Sequence, residues 1–181
     1  MTSVPIGAVL CGGASRGMGT DRATILVAGV PLARRVADAL VAAGCGRIVA
    51  IGGDASDLGD LGLEPVEDEF PGEGPLGGVL TSLTLGSPAV VVACDLPNLR
   101  PQTVAELIMA LGDHDAAMAH NDRIEPLCAV WSASAATQLR ARFDAGERAM
   151  HRAVEGLDIA WVPVAAAELR NINTRDDLES L

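Results

Sequence analysis

At 181 residues, with 49% apolar and 20% charged side chains, the chain has the length of one ordinary domain and enough apolar surface for a sizeable core, which excludes an intrinsically disordered protein. Acidic residues outnumber basic ones 24 to 13, and the formal net charge of −11 is the opposite of the broad basic face that a nucleic acid or an anionic membrane requires. All of the basic residues are Arg and aromatic residues make up only 2%, so the core has to be aliphatic.

The first apolar run, Val4 to Leu10, suits a buried strand that ends in a tight turn at Cys11, Gly12 and Gly13. A polar, glycine-punctuated segment follows from Ala14 to Thr24. Leu32, Val36 and Leu40 then recur at helical spacing, predicting a helix to about Ala43 that Gly44 and Gly46 stop. Arg47 to Ile51 predicts a second strand, residues 52–62 a Gly/Asp-rich loop, and Leu63 to Val66 a short strand. Pro75 opens a helix carried by Leu76, Val79, Leu80 and Leu83. Ala89 to Ala93 is the clearest buried strand, and Pro101 opens a further helix with Val104, Leu107, Ile108 and Leu111 on one face. Asp115 to Ala119 and Leu127 to Trp131 predict strands, Ser134 to Phe143 a helix, Glu147 to Val154 a short helix, and Ile159 to Val164 a strand. Thr174 and Asp177 have the spacing of a capping box that starts a final helix.

Strands alternating with amphipathic helices predict an α/β fold: a single Rossmann-like domain over residues 1–181, its mainly parallel sheet flanked by helices on both faces. Cys11, Cys45, Cys94 and Cys128 form no CxxC pattern, so free thiols in a cytoplasmic protein are expected. The N-terminal stretch has no basic signal-peptide flank, and no run of apolar residues is long enough to span a membrane.

Ligands of such sheets bind at the carboxyl ends of the strands, which points to residues 11–22, 52–54, 67–78 and 94–98. In the first of these, Gly12 and Gly13 allow backbone N–H groups to approach a phosphate or base edge, while Arg16 and Arg22 supply positive charge. A flexible strand–helix connection is the plainer alternative. The loop is no Walker A motif, since it has no Gly-Lys-Ser/Thr. Gly72, Gly74 and Gly77 match GxGxxG, but Pro75 sits inside the match and Phe70-Pro71 precedes it. This segment therefore reads as a loop feeding a helix N-terminus. Asp95, directly after the strongest strand, suits a Mg²⁺ ligand, or else caps the loop before Pro97. Asn171 and Asn173 flank Ile172 and would share one face of an extended piece, or serve turn and N-cap chemistry.

Taken together, Leu10-Cys11-Gly12-Gly13, Arg16-Gly17-Met18-Gly19, Asp21-Arg22, Gly74-Pro75-Leu76, Cys94-Asp95-Leu96-Pro97 and Asn171-Ile172-Asn173-Thr174 resemble, in order and along essentially the whole chain, the molybdenum cofactor guanylyltransferase family. Glu125-Pro126-Leu127 and Gly146-Glu147-Arg148 fit its later segments. The resemblance implies a Mg²⁺-dependent nucleotidyltransferase that passes GMP from GTP to the phosphate of molybdopterin, with or without molybdenum, and releases pyrophosphate. It also implies apo-molybdoenzymes or their chaperones as recipients.

By the same resemblance Leu10, Cys11, Gly12 and Gly13 contact the nucleotide, with Arg22 at the triphosphate in the place of a lysine. Gly53, or its neighbours Gly52 and Asp54, and Asp68 also belong to the nucleotide side. Asp95 holds the metal, and Arg16 joins Arg22 and Asp95 as a catalytic group. Arg148, Asn171 and Asn173 fall on the pterin side. Three residues depart from the family pattern: Cys11 for Ala, Gly17 for a second Arg, and Arg22 for Lys. Two other functions remain open. One is cytidylyl transfer to the same pterin, against which Gly12-Gly13 and Asn173 favour guanine, or guanylyl transfer to another phosphorylated small molecule. The other is a nucleotide or cofactor carrier that has lost catalysis, which Gly17 and Arg22 favour.

Overall fold

The computed structural model describes residues 3–12, 22–172 and 177. Its main sheet has seven strands: β1 (Ile6–Leu10), β4 (Ile48–Ile51), β5 (Glu64–Val66), β6 (Ala89–Ala93), β7 (Ala116–His120), β8 (Ile124–Trp131) and β9 (Ile159–Pro163). Their order is β5-β4-β1-β6-β8-β7-β9. Every neighbouring pair is parallel except those made by β8, which runs antiparallel to both β6 and β7. A two-stranded ribbon of β2 (Leu26–Val27) and β3 (Val30–Pro31) stands apart from this sheet.

Alternation along the buried strands sends successive side chains to opposite faces, and each face is covered by helices. On one side Val9, Ala50, Val90 and Val92 pack with α1 (Leu32–Ala42) and α4 (Pro101–Leu111). On the other, Ala8, Val49, Val91 and the fully buried Trp131 pack with α3 (Pro75–Leu85), α5 (Ala133–Asp144) and α6 (Met150–Ala153). Among the described residues no helix is long and apolar enough to cross a membrane.

The departures from expectation have local causes. The stretch 52–62 is not all loop: it contains a helix, α2 (Ala55–Asp60), whose N-terminus is capped by the Asp54 carboxylate accepting from Ser56 and Asp57 N–H at 2.9 and 3.1 Å. The glycines and acids that suggested a loop are its flanks and cap. The β2–β3 ribbon turns at Ala28 and Gly29, both at positive φ, on strands too short to show alternation. The helix expected from Glu147 begins only at Met150, because Glu147 Oε1 accepts instead from the N–H groups of Arg148 and Ala149, each at 2.8 Å. The capping box at Thr174 lies outside the described residues apart from Asp177.

The chain moves outward from β1 to β4 on one side and returns to β6 on the other. The carboxyl ends of β1, β4 and β6 therefore meet at a topological switch point, where the connections diverge and leave a crevice. Because β8 is antiparallel, its first residues lie at this same end of the sheet.

Candidate functional site

At the switch point a cavity of about 650 Å³ opens, within the size range of small-molecule sites. Its floor is the ends of three strands: Leu10, Cys11 and Gly12 after β1, Gly52 and Gly53 after β4, and Cys94 and Asp95 after β6. The loops keep the parallel ladder going past the strands, Cys11 N–H donating to Ile51 O at 2.9 Å and Cys94 N–H to Leu10 O at 3.0 Å. Asp68 and the Pro71–Pro75 loop form one wall, Arg22 stands over Asp95, and Leu127 of β8 closes a further edge.

Two glycines make the close approach possible. Gly52 has φ +72°, and a Cβ there would stand 2.8 Å from the Gly12 Cα and 3.0 Å from its nitrogen. Gly12 is the milder case: among the described residues its Cβ would meet only Gly52 Cα, at an ordinary 3.7 Å, and Gly12 itself lines the cavity. The two substitutions should therefore part. Gly52→Ala is expected to lower the melting temperature by several degrees, combining a strained φ with a backbone clash, each costing about 1–3 kcal/mol. Gly12→Ala is expected to melt like wild type and to alter only nucleotide affinity and the GTP-to-CTP preference. Thermal melts together with nucleotide titrations of both variants check this, and an unchanged preference in Gly12→Ala would put base discrimination elsewhere.

Asp95 is the electrostatic centre of the cavity. Its side chain is 9% exposed, and its Oδ2 accepts from Arg22 Nη1 at 2.6 Å. Its Oδ1 is buried and has no hydrogen-bond partner among the described residues. Burial pushes the Asp95 carboxyl above the usual range, and the Arg22 guanidinium opposes that shift. Glu125, on the part of β8 that reaches this end of the sheet, is raised as well, first by burial and then by the charge of Asp95. The main chain of Asp95 is fixed from a distance: its carbonyl accepts from Ile172 N–H at 3.0 Å, and the Ile172 side chain is fully buried. The segment leading to Ile172 is itself anchored to the loop after β6. Glu168 binds the Arg100 guanidinium and takes Thr103 Oγ1 at 2.6 Å, and Asn98 Nδ2 donates to Ala167 O at 3.2 Å.

At the other wall the N-terminus of α3 faces the cavity through Gly74, Pro75 and Gly78, so the positive end of a helix adjoins an otherwise acidic rim. Pro75 at the first turn removes no needed donor, and Gly74 at φ +82° makes the turn into the helix. The GxGxxG look-alike thus serves as a helix entry.

The expected site residues are distributed as follows. Leu10, Cys11, Gly12, Arg22, Gly53, Asp68 and Asp95 line the cavity together. Asp54, the alternative to Gly53, caps α2. Arg148 is outside the lining: it pairs with Glu73, donates to Phe143 O and Glu147 O at 2.7 and 2.8 Å, and lies over the Phe143 ring at 3.8 Å. In this state it braces the loop between Gly72 and Gly74 from behind. Asn171 is exposed beside Ile172, within one residue of the hydrogen bond to Asp95. Gly13, Arg16 and Asn173 lie outside the described residues. Gly52 and the buried Thr81, which binds Asp68, carry more of the site than their sequence context suggests. The signal for Thr81 was a hydroxyl side chain at i+4 from Gly77, on a helix that also carries Ser82 and Thr84.

The residues from Gly7 to Ile159 match the family model of the MobA-like NTP transferase domain. The chain belongs to this family. Among curated relatives, this MobA-like chain is 35% identical to the molybdenum cofactor guanylyltransferase of Cereibacter sphaeroides, over 95% of its own length and 92% of the other. It is also 35% identical to a probable molybdenum cofactor guanylyltransferase of Chloroflexus aggregans, over 96% of this chain and 91% of that one. Among solved structures it resembles molybdopterin-guanine dinucleotide biosynthesis protein A from Archaeoglobus fulgidus, with a TM-score of 0.79 and 27% identity across 97% of this chain and 95% of that one. A nucleotidyl transferase from Methanothermobacter thermautotrophicus shares the fold, with a TM-score of 0.78 at 18% identity, covering 98% and 96% of the two chains. The MobA-like chain is accordingly a nucleotidyltransferase with a mostly parallel sheet, and its cavity occupies the switch point of that fold.

Proposed function

We propose that the chain transfers GMP from GTP to the terminal phosphate of molybdopterin, with or without bound molybdenum. A phosphate oxygen of the acceptor bonds to the α-phosphorus, the bond to the β-phosphate oxygen breaks, and pyrophosphate leaves. The observation that carries this reading is the meeting of the Gly12 and Gly52 backbones, Asp95 and Arg22 at one switch-point cavity, in a chain similar over nearly its whole length to proteins named for this reaction.

Such chemistry requires positioning and charge neutralisation more than a protein nucleophile. The chain's own parts suit that task. The glycine backbones leave room for base and phosphates, the α3 N-terminus favours an anion, and Arg22 supplies a guanidinium. Mg²⁺ fits as cofactor because Asp95 offers a buried carboxylate oxygen that has no partner among the described residues. No group of three or more potential metal-ligating side chains occurs among the described residues. That suits an ion held by one or two carboxylates plus phosphates and water. When bound there, Mg²⁺ would add to Arg22 and the α3 N-terminus in neutralising phosphate charge within a chain of net charge −11. Asn171 and the Arg148 loop, with Gly13, Arg16 and Asn173, complete the proposed nucleotide and pterin contacts. Apo-molybdoenzymes or their chaperones are the proposed recipients, in the cytoplasm.

A second reading, a nucleotide carrier without catalysis, is favoured by one feature: Arg22 is bound to Asp95 instead of standing free for phosphates. Pyrophosphate release measured with GTP, CTP, ATP and UTP, each with and without molybdopterin and Mg²⁺, separates the readings. Release from GTP that needs both molybdopterin and Mg²⁺ is expected. Release from CTP would move the activity to cytidylyl transfer. GTP binding with no release would establish the carrier.

A further inference from the structure

Asp68 enters the cavity wall from the loop after β5, and how its carboxylate is held decides what it can bind. Oδ1 is occupied. It accepts from Phe70 N–H at 2.9 Å and lies 3.0 Å from the Thr81 hydroxyl. Oδ2 has no hydrogen-bond partner among the described residues. Thr81 belongs to α3, is 1% exposed, and is tied at three points. Its Oγ1 accepts from Glu69 N–H at 3.1 Å, and it lies 3.0 Å from Gly77 O as well as from Asp68 Oδ1. The hydroxyl has one proton, which these two oxygens share, while its oxygen accepts from the Glu69 amide. Phe70 fixes the far side of the same turn, its ring 4.8 Å from that of Phe143. Thr84 Oγ1 also donates to Glu69 Oε1 at 2.8 Å, but among the described residues only Thr81 binds the Asp68 carboxylate through its side chain.

From this geometry we infer that Thr81 is a positioning residue for base selection: it holds one oxygen of Asp68 so that the other faces the nucleotide as a fixed acceptor. The inference rests on the guanylyl reading above and deepens it. A carboxylate oxygen only accepts hydrogen bonds. The pairing edge of guanine presents two adjacent donors, N1–H and the 2-amino group, whereas that of cytosine presents one amino group beside two acceptors. A fixed carboxylate therefore favours guanine and repels the acceptor atoms of cytosine. Held loosely, the same group would turn to meet the lone cytosine amine, and the preference would shrink. The neighbouring glycine at position 77, against which a Cβ would stand 2.8 Å from Phe70 Cβ, keeps α3 close enough for Thr81 to reach.

The test is the ratio of dissociation constants for CTP and GTP, measured by nucleotide titration of the full chain. Thr81→Val keeps the shape of the buried side chain and deletes the hydroxyl. It is expected to lower the ratio about three- to tenfold, the worth of one neutral hydrogen bond at 1.4 kcal/mol per decade. Thr81→Ser, which keeps the oxygen, is expected to restore the ratio. In an Asp68→Ala background, Thr81→Val should cause no further loss, because its effect passes through Asp68. An unchanged ratio in Thr81→Val, or an equal fall in the Asp68→Ala background, overturns the assignment of Thr81. A wild-type chain with no preference for GTP overturns the guanylyl reading instead, and the two failures are told apart by the wild-type titration alone.

Discussion

Asp95→Asn is expected to remove most turnover while leaving the fold intact. The change is nearly isosteric, and the main chain of Asp95 stays anchored through Ile172 N–H. What is lost is the charge of a buried carboxylate whose Oδ1 has no partner among the described residues and whose ionised form burial already disfavours. Removing a disfavoured charge does not weaken the core, and Arg22, 31% exposed at its side chain, can turn to water. The melting temperature should therefore be no lower than that of wild type. Turnover is another matter. Charge neutralisation at phosphates is worth several kcal/mol, at ~1.36 kcal/mol per decade of rate, so a fall of about a hundredfold or more is expected. Affinity for Mn²⁺, used as a probe for Mg²⁺, should fall in parallel. Near-normal pyrophosphate release with an unchanged Mg²⁺ requirement would remove Asp95 from the metal site.

The strand before Asp95 was legible because five consecutive apolar residues, Ala89 to Ala93, bounded by turn formers fit only a strand buried on both faces. Its position at the centre of the sheet then made the next residue a site residue. The α3 and α4 helices were legible from apolar spacing and an opening proline. Helix α2 was not, because its six residues are too few to show a period, and its Asp54 cap looks like a loop residue until the backbone bonds are seen. Nor was the antiparallel run of β8, since apolar alternation does not encode strand direction.

At the site, single residues were readable and pairings were not. Arg22 and Asp95 are 73 residues apart, and Thr81 and Asp68 are 13 apart across a loop and a helix. Arg22, Asp95 and Asp68 each looked suited to a ligand and Thr81 did not, whereas in the fold all four are bound to one another in pairs. Arg148 shows the same limit: its sequence context places it with the acceptor, but the cavity geometry gives its guanidinium to Glu73 and the Phe143 ring. Side-chain partners depend on tertiary contacts, which one sequence does not carry.

The Arg22–Asp95 pair gives the remaining large effect, and its sign differs between two measurements. Arg22 neutralises the carboxylate that a cation would use, so without nucleotide the guanidinium and the cation compete for Asp95. Arg22→Ala removes the competitor and should raise the affinity for Mn²⁺ measured in the absence of GTP. Turnover should move the other way. If Arg22 swings to the triphosphate once a cation takes Asp95, its loss deletes a charge-assisted contact worth about 1.5–3 kcal/mol, a ten- to hundredfold fall in GTP use at about 1.4 kcal/mol per decade. Arg22→Lys should recover the turnover. A compact ammonium can still reach a phosphate, but it lacks the planar fork and binds the carboxylate as a point charge. Thermal stability should fall in Arg22→Ala, which leaves the buried Asp95 carboxylate without its partner, and change little in Arg22→Lys, which keeps a cation beside it. Tighter Mn²⁺ binding with undiminished turnover in Arg22→Ala would show that Arg22 only guards Asp95 and never touches the nucleotide. Equal turnover and equal Mn²⁺ affinity in wild type and Arg22→Ala would show that the pair is irrelevant to both ligands.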